Sequence, residues 1–160
     1  MQSMTHYMEL LATNQPWNLL RFMVVPVVLA ETLVATEFFL VFRRQHSGAL
    51  RLFNRLLGIA AGAYFLLAVF LPLVFTAIPG MQWRTWVDVL AVWSYLLGVV
   101  PLVGIALLDL GLLGRGKSED DKMKLHFILL TVFLVVAHVA MVFGMVNPQI
   151  VMGAGKAAGM

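Results

Sequence analysis

The sequence has no cysteine. That excludes disulfides, thiolate metal centres, iron–sulfur clusters and c-type haem held through a Cys-x-x-Cys-His attachment. Charge is scarce as well: 12% of the 160 residues are Asp, Glu, Lys or Arg, about half the share in soluble domains, and 61% are hydrophobic. No Lys or Arg occurs in residues 1–20, so the basic start of a cleaved secretory leader is missing and the N-terminus is expected to be retained. There is no Rossmann fingerprint, Walker loop, nucleophile elbow, zincin motif or internal repeat. The formal charge of +3 lacks the aromatic interleaving of a nucleic-acid surface, so nucleic acid is not an expected partner. The chain leaves no room for a separate soluble catalytic domain, so any chemistry belongs within or beside a bilayer, and the reading is nonenzymatic.

What the sequence does have is four apolar stretches, roughly 22–42, 56–78, 87–113 and 125–146, each near the 20 or so residues that a bilayer core requires. They predict a single all-α integral membrane domain, a four-transmembrane-helix bundle over 1–160. Arg43, Arg44, Arg51 and Arg55 separate the first two spans, Pro79 and Gly80 the next two, and the polar run 114–124 the last two. The first and third connections carry most of the cations. The positive-inside rule therefore places both termini outside, with Trp17, Trp83 and Trp86 at the outer boundary. Ser118 and Asp121 form a capping box that starts the fourth helix, which should run to Asn147, before Pro148. Residues 3–12 should form a short interfacial helix with Met4, Met8 and Leu11 on one face, and 148–160 a mobile tail.

Ionisable groups inside a span are costly, and each asks for a partner or a function. Depth suggests which could meet. Glu31 lies nine residues past Phe22 and His138 nine residues before Asn147, each roughly 14 Å below the outer edge; Tyr95, eight past Val87, lies at about 12 Å. Glu31, Tyr95 and His138 are therefore read as one buried polar site. Thr32 and Thr36 adjoin Glu31, Asp88 and Asp109 share the Tyr95 stripe, and Thr131 shares the His138 stripe. Glu37 is expected to reach toward Arg44 at the inner edge, His126 to be interfacial, and Asp88 and Asp109 to face headgroup water. The bland alternative for Glu31 and His138 is an interhelical hydrogen bond that only clips two helices together. Pro26, Pro72 and Pro101 each remove a helical hydrogen bond and can free a carbonyl. Gly58-x-x-x-Gly62 and Ala140-x-x-x-Gly144 would allow close helix approach.

Nine of the ten methionines fall in the outer half or outside. Thioether and imidazole together suit Cu(I). His138, Met141 and Met145 share a face, His6 lies between Met4 and Met8, and Met23 would close such a site from the first span. The alternative is that these methionines fill gaps between helices.

The stretches Thr13-Asn14-Gln15-Pro16-Trp17-Asn18-Leu19-Leu20 and Ala30-Glu31-Thr32-Leu33-Val34-Ala35-Thr36-Glu37 resemble those of an uncharacterised family of small four-helix bacterial inner-membrane proteins. The resemblance implies an inner-membrane location and no activity. The leading reading is a transporter-like or accessory subunit that handles protons or a small cation. Three alternatives stand beside it: a haem-binding electron-transfer subunit with His138 as an axial ligand, a structural partner of a larger membrane complex, and a Cu(I)-binding protein. No cofactor is required; haem b and Cu(I) are the two considered. The bilayer, other membrane subunits or a second copy of the chain are the expected partners.

Overall fold

The computed structural model describes residues 5–44, 48–83 and 85–147; the side chains of His6 and Tyr7 are not described. Five helices, and no strand among the described residues, make up the fold. A short α1 (His6–Ala12) is followed by α2 (Trp17–Arg43), α3 (Ala49–Gly80), α4 (Trp86–Asp109) and α5 (Glu119–Met145). Each of the last four is long and apolar enough to cross a membrane. Their alternating direction gathers Arg43, Arg44, Arg51, Arg55, Lys122 and Lys124 at one end, here the basic end, and Trp17, Trp83 and Trp86 at the other, the tryptophan end.

Local chemistry explains the helix ends. Ser118 caps α5 by accepting from the Asp121 backbone at 3.2 Å while its hydroxyl donates to the Asp121 carboxylate at 2.8 Å, with three acidic residues in the first turn. α4 stops at Asp109, short of the expected 113, because Gly111 takes a left-handed φ of 75° that lets the Leu112 and Leu113 amides fold back onto Leu107 O. α3 starts seven residues earlier than the expected span. Its first turns carry Arg51, Asn54 and Arg55, which bond inward to α2, to α4 and to each other rather than lying in a loop. The expected tail 148–160 lies outside the described residues.

α4 is the central helix, with 50% of its most apolar window buried against 22% for α5. It packs along both α3 and α5. Gly58 and Gly62 make the α3 contact possible: a Cβ on Gly62 would lie 2.6 Å from Leu102 O and 2.6 Å from the Ala106 Cβ. α2 packs on α3 but meets α5 over little of its length, which leaves a groove between the first and last spanning helices. α1 lies at the tryptophan end of this groove. Its N-cap Thr5 donates from Oγ1 to the Gly144 carbonyl of α5 at 2.6 Å, and Leu11 is buried beneath it.

A carboxylate–imidazole–carboxylate site and an apolar cavity

The buried stripe of α2 runs through Pro26, Ala30, Leu33, Glu37 and Leu40 at steps of three and four, so Glu37 sits in the packed interface and not on a face turned to Arg44. On α5 the corresponding stripe is His126, Leu130, Phe133, Ala140 and Gly144. Asp109 closes the set from the end of α4. Glu37 and His126 are fully buried and Asp109 is 4% exposed, which corrects the expected interfacial placement of all three. Helix packing, not distance from the span end, decides exposure here.

The imidazole stands between the two carboxylates. His126 Nε2 lies 3.2 Å from Asp109 Oδ2 in hydrogen-bond geometry. Nδ1 lies 3.1 Å from Glu37 Oε2, close enough for an ion pair yet misdirected for a hydrogen bond, so neither Glu37 oxygen has a hydrogen-bond partner. A neutral imidazole has one N–H and one lone pair and cannot donate to both carboxylates. A charged ring, with an N–H on each nitrogen, could face both carboxylates at once. Beside it runs a second polar chain: Arg51 donates to Asn54 at 3.3 Å, Asn54 donates to Thr36 Oγ1 at 2.9 Å, and Thr36 donates to the Thr32 and Leu33 carbonyls. Arg55 Nε donates to the Asp109 carbonyl. Asp109 also borders a polar cavity of about 310 Å³ at the basic end, lined by Arg51, Arg55, Glu119 and Lys122.

Glu31, Tyr95 and His138 line one cavity of about 220 Å³ in the α2–α5 groove, together with Met8, Met23, Met141 and Met145. None of the three bonds another. Glu31 and His138 are exposed on the groove and not buried as expected. Equal depth put them at one level, but depth says nothing about rotation about the helix axis. Glu31 lies one position past the buried Ala30, and the Thr131, His138, Met141 and Met145 stripe is exposed throughout. Glu31 has no hydrogen-bond or ion-pair partner among the described residues. His138 Nδ1 donates to Leu134 O at 2.7 Å. Thr32 and Thr131 satisfy themselves on the carbonyls of Val28 and Phe127. Met4 lies outside the described residues, as does the side chain of His6. For haem, His126 already has Asp109 and Glu37 on its two nitrogens, and it sits 12 residues, roughly 18 Å, from His138 on the same helix. One protomer thus offers no second axial imidazole for His138 among the described residues.

Asp88 is neither a headgroup residue nor a site member. It is buried at the third position of α4, where its Oδ2 accepts from the Thr85 amide at 3.0 Å. Thr85-x-x-Asp88 has the same spacing as Ser118-x-x-Asp121, a signal present in the sequence.

Tyr95 has a distinct role. Pro26 lacks an N–H for the Phe22 carbonyl four residues back, and the Tyr95 hydroxyl donates to that carbonyl. Pro72 leaves the Ala68 carbonyl in the same state, and Arg21 Nε donates to it at 2.6 Å. Both prolines lie beside π-turns, at Leu20–Val24 and at Phe65–Phe70 and Leu73–Ala77. Tyr95→Phe should cost about 1 kcal/mol of stability in detergent unfolding. In a Pro26→Ala background, where the helix supplies its own donor, the cost should be smaller. Equal costs in the two backgrounds would show that Tyr95 does not act through the freed carbonyl.

Comparison with curated proteins and with solved structures yields no match. The family model described as "Family of unknown function (DUF6803)" matches residues 1–160, the whole chain. With four helices able to cross a membrane, the protein is a multi-pass, all-helical member of that family of unknown function.

Proposed function

We propose that this chain is a proton-binding membrane protein, a transporter-like or accessory subunit, and that its proton is held by Glu37, His126 and Asp109. The carrying observation is one buried imidazole flanked by two buried carboxylates at 3.1 and 3.2 Å. Buried charge of this kind is expensive in a membrane helix and is a weak source of stability, so function is the better account of it. Asp109 borders the polar cavity at the basic end and would pass protons between that cavity and His126; Glu37, with no hydrogen bond to hold its charge, is the terminal acceptor. The clustering of Lys and Arg supports a cytoplasmic basic end with both termini outside, and the sequence resemblance supports a bacterial inner-membrane location. The Glu31, Tyr95 and His138 group lies in a mainly apolar cavity without mutual bonds and is a weaker proton site.

Infrared titration of the reconstituted protein tests this. Wild type should show a carboxyl C=O band that appears and disappears with pH. Glu37→Gln should remove or displace it, and Glu31→Gln should leave it in place. A spectrum without any titrating buried carboxyl or imidazole band, or a band abolished only by Glu31→Gln, would overturn the assignment to Glu37, His126 and Asp109.

A further inference from the structure

We infer that the cavity between α2 and α5 is a binding site for a soft monovalent metal ion, Cu(I), independent of the proton site at the other end. Four of the ten methionines line this one cavity, Met8 from α1, Met23 from α2, and Met141 and Met145 from α5. Three helices, α1, α2 and α5, thus each contribute methionine to the lining of a single volume of about 220 Å³. Thioether sulfur is a poor ligand for hard ions and a good one for Cu(I).

The imidazole in the same wall has one nitrogen available to a ligand. His138 Nδ1 faces the Leu134 carbonyl at 2.7 Å, an acceptor, so Nδ1 carries the hydrogen. In the neutral ring the lone pair is then on Nε2, which has no protein partner among the described residues. A ring fixed through its other nitrogen by a carbonyl is the usual arrangement of a metal-binding histidine. Glu31, on the same cavity and without a partner among the described residues, is a carboxyl group that could offset the charge of the cation without having to ligate it. The position of α1 also fits: Thr5 ties it to Gly144, one residue from Met145, and so keeps Met8 at the cavity.

A packing role for these side chains makes different demands. Met23, Met141 and Met145 are 42%, 48% and 63% exposed, so they are not locked into a packed core and their side chains can turn toward a ligand.

The test is anaerobic Cu(I) titration of the full-length detergent-purified protein against a chromogenic Cu(I) chelator, with helical content and monodispersity checked for each variant. Wild type should compete for the metal. His138→Gln and the pair Met141→Leu with Met145→Leu should each weaken binding strongly, and Glu31→Gln about ten-fold as an outer residue. Met123→Leu, near the basic end, should change nothing. X-ray absorption of the loaded protein should show sulfur and imidazole neighbours, with sulfur reduced in the double leucine variant. No competition by wild type, or equal competition by all variants, would overturn the inference. So would a spectrum with only oxygen neighbours. None of these readouts depends on Glu37, His126 or Asp109, so this site and the proton site stand or fall separately.

Discussion

His126→Leu should lower the stability of the bundle by about 3–5 kcal/mol, the usual cost of removing one partner from a buried ionic group. The substitution nearly preserves bulk, so little of that loss would come from packing. Its source would be Glu37 and Asp109, left facing each other's vicinity without the imidazole that stands between them at 3.1 and 3.2 Å. The informative companion is the triple variant Glu37→Met, His126→Leu, Asp109→Leu. Apolar replacement of an entire buried ionic group is often neutral or stabilising, so this variant should regain wild-type stability or exceed it, while losing the titrating infrared band. Equilibrium unfolding in mixed micelles across the three proteins reads both. A single variant as stable as wild type would mean that no charge is stored there, and a triple variant as unstable as the single one would make the site a packing element.

Gly62→Ala should cost about 3 kcal/mol, the upper end for overpacking. The added Cβ would meet a backbone carbonyl, Leu102 O, at 2.6 Å, which no rotamer change can relieve, so α3 and α4 must separate. Gly58→Ala differs in kind. Its Cβ would fall 2.2 Å from the Asp109 Oδ2 atom, which also faces His126, and 2.9 Å from the Cγ2 methyl of the fully buried Ile105. Gly58→Ala should therefore lose stability and, unlike Gly62→Ala, act directly on the carboxyl infrared band. Gly80→Ala, with nothing within 4 Å, is the control and should match wild type. If Gly62→Ala unfolds at the same point as Gly80→Ala, the close α3–α4 approach is wrong.

Much of the architecture was legible because the bilayer imposes it. Spans must be apolar and about 20 residues long, so four helices, the Ser118 cap and the close glycines followed from pattern alone. The site was legible only in part, and the reason is geometric. Rise per residue gives the depth of Glu31, Tyr95 and His138, and all three do reach one cavity, but rotation about each helix axis comes from packing. The apolar stripe of α2 carried that information: Pro26, Ala30, Leu33 and Leu40 bracket Glu37 at steps of three and four, whereas Glu31 falls beside them. A reader who ranked polar residues by their place on that stripe, and not by distance from the span centre, would have turned Glu37 inward. The partners of the carbonyls freed by Pro26 and Pro72 were not legible. Tyr95 and Arg21 reach them across helix interfaces, and no spacing in one helix encodes the rotation of its neighbour.

The hydrogen bond from Thr5 to Gly144 spans 139 positions of the chain. Synthesis runs from the N- to the C-terminal side, so this latch has no acceptor until Gly144 has been added. Closure at the tryptophan end therefore couples α1 to the last spanning helix, and α1 cannot take its final place before the end of α5 is present.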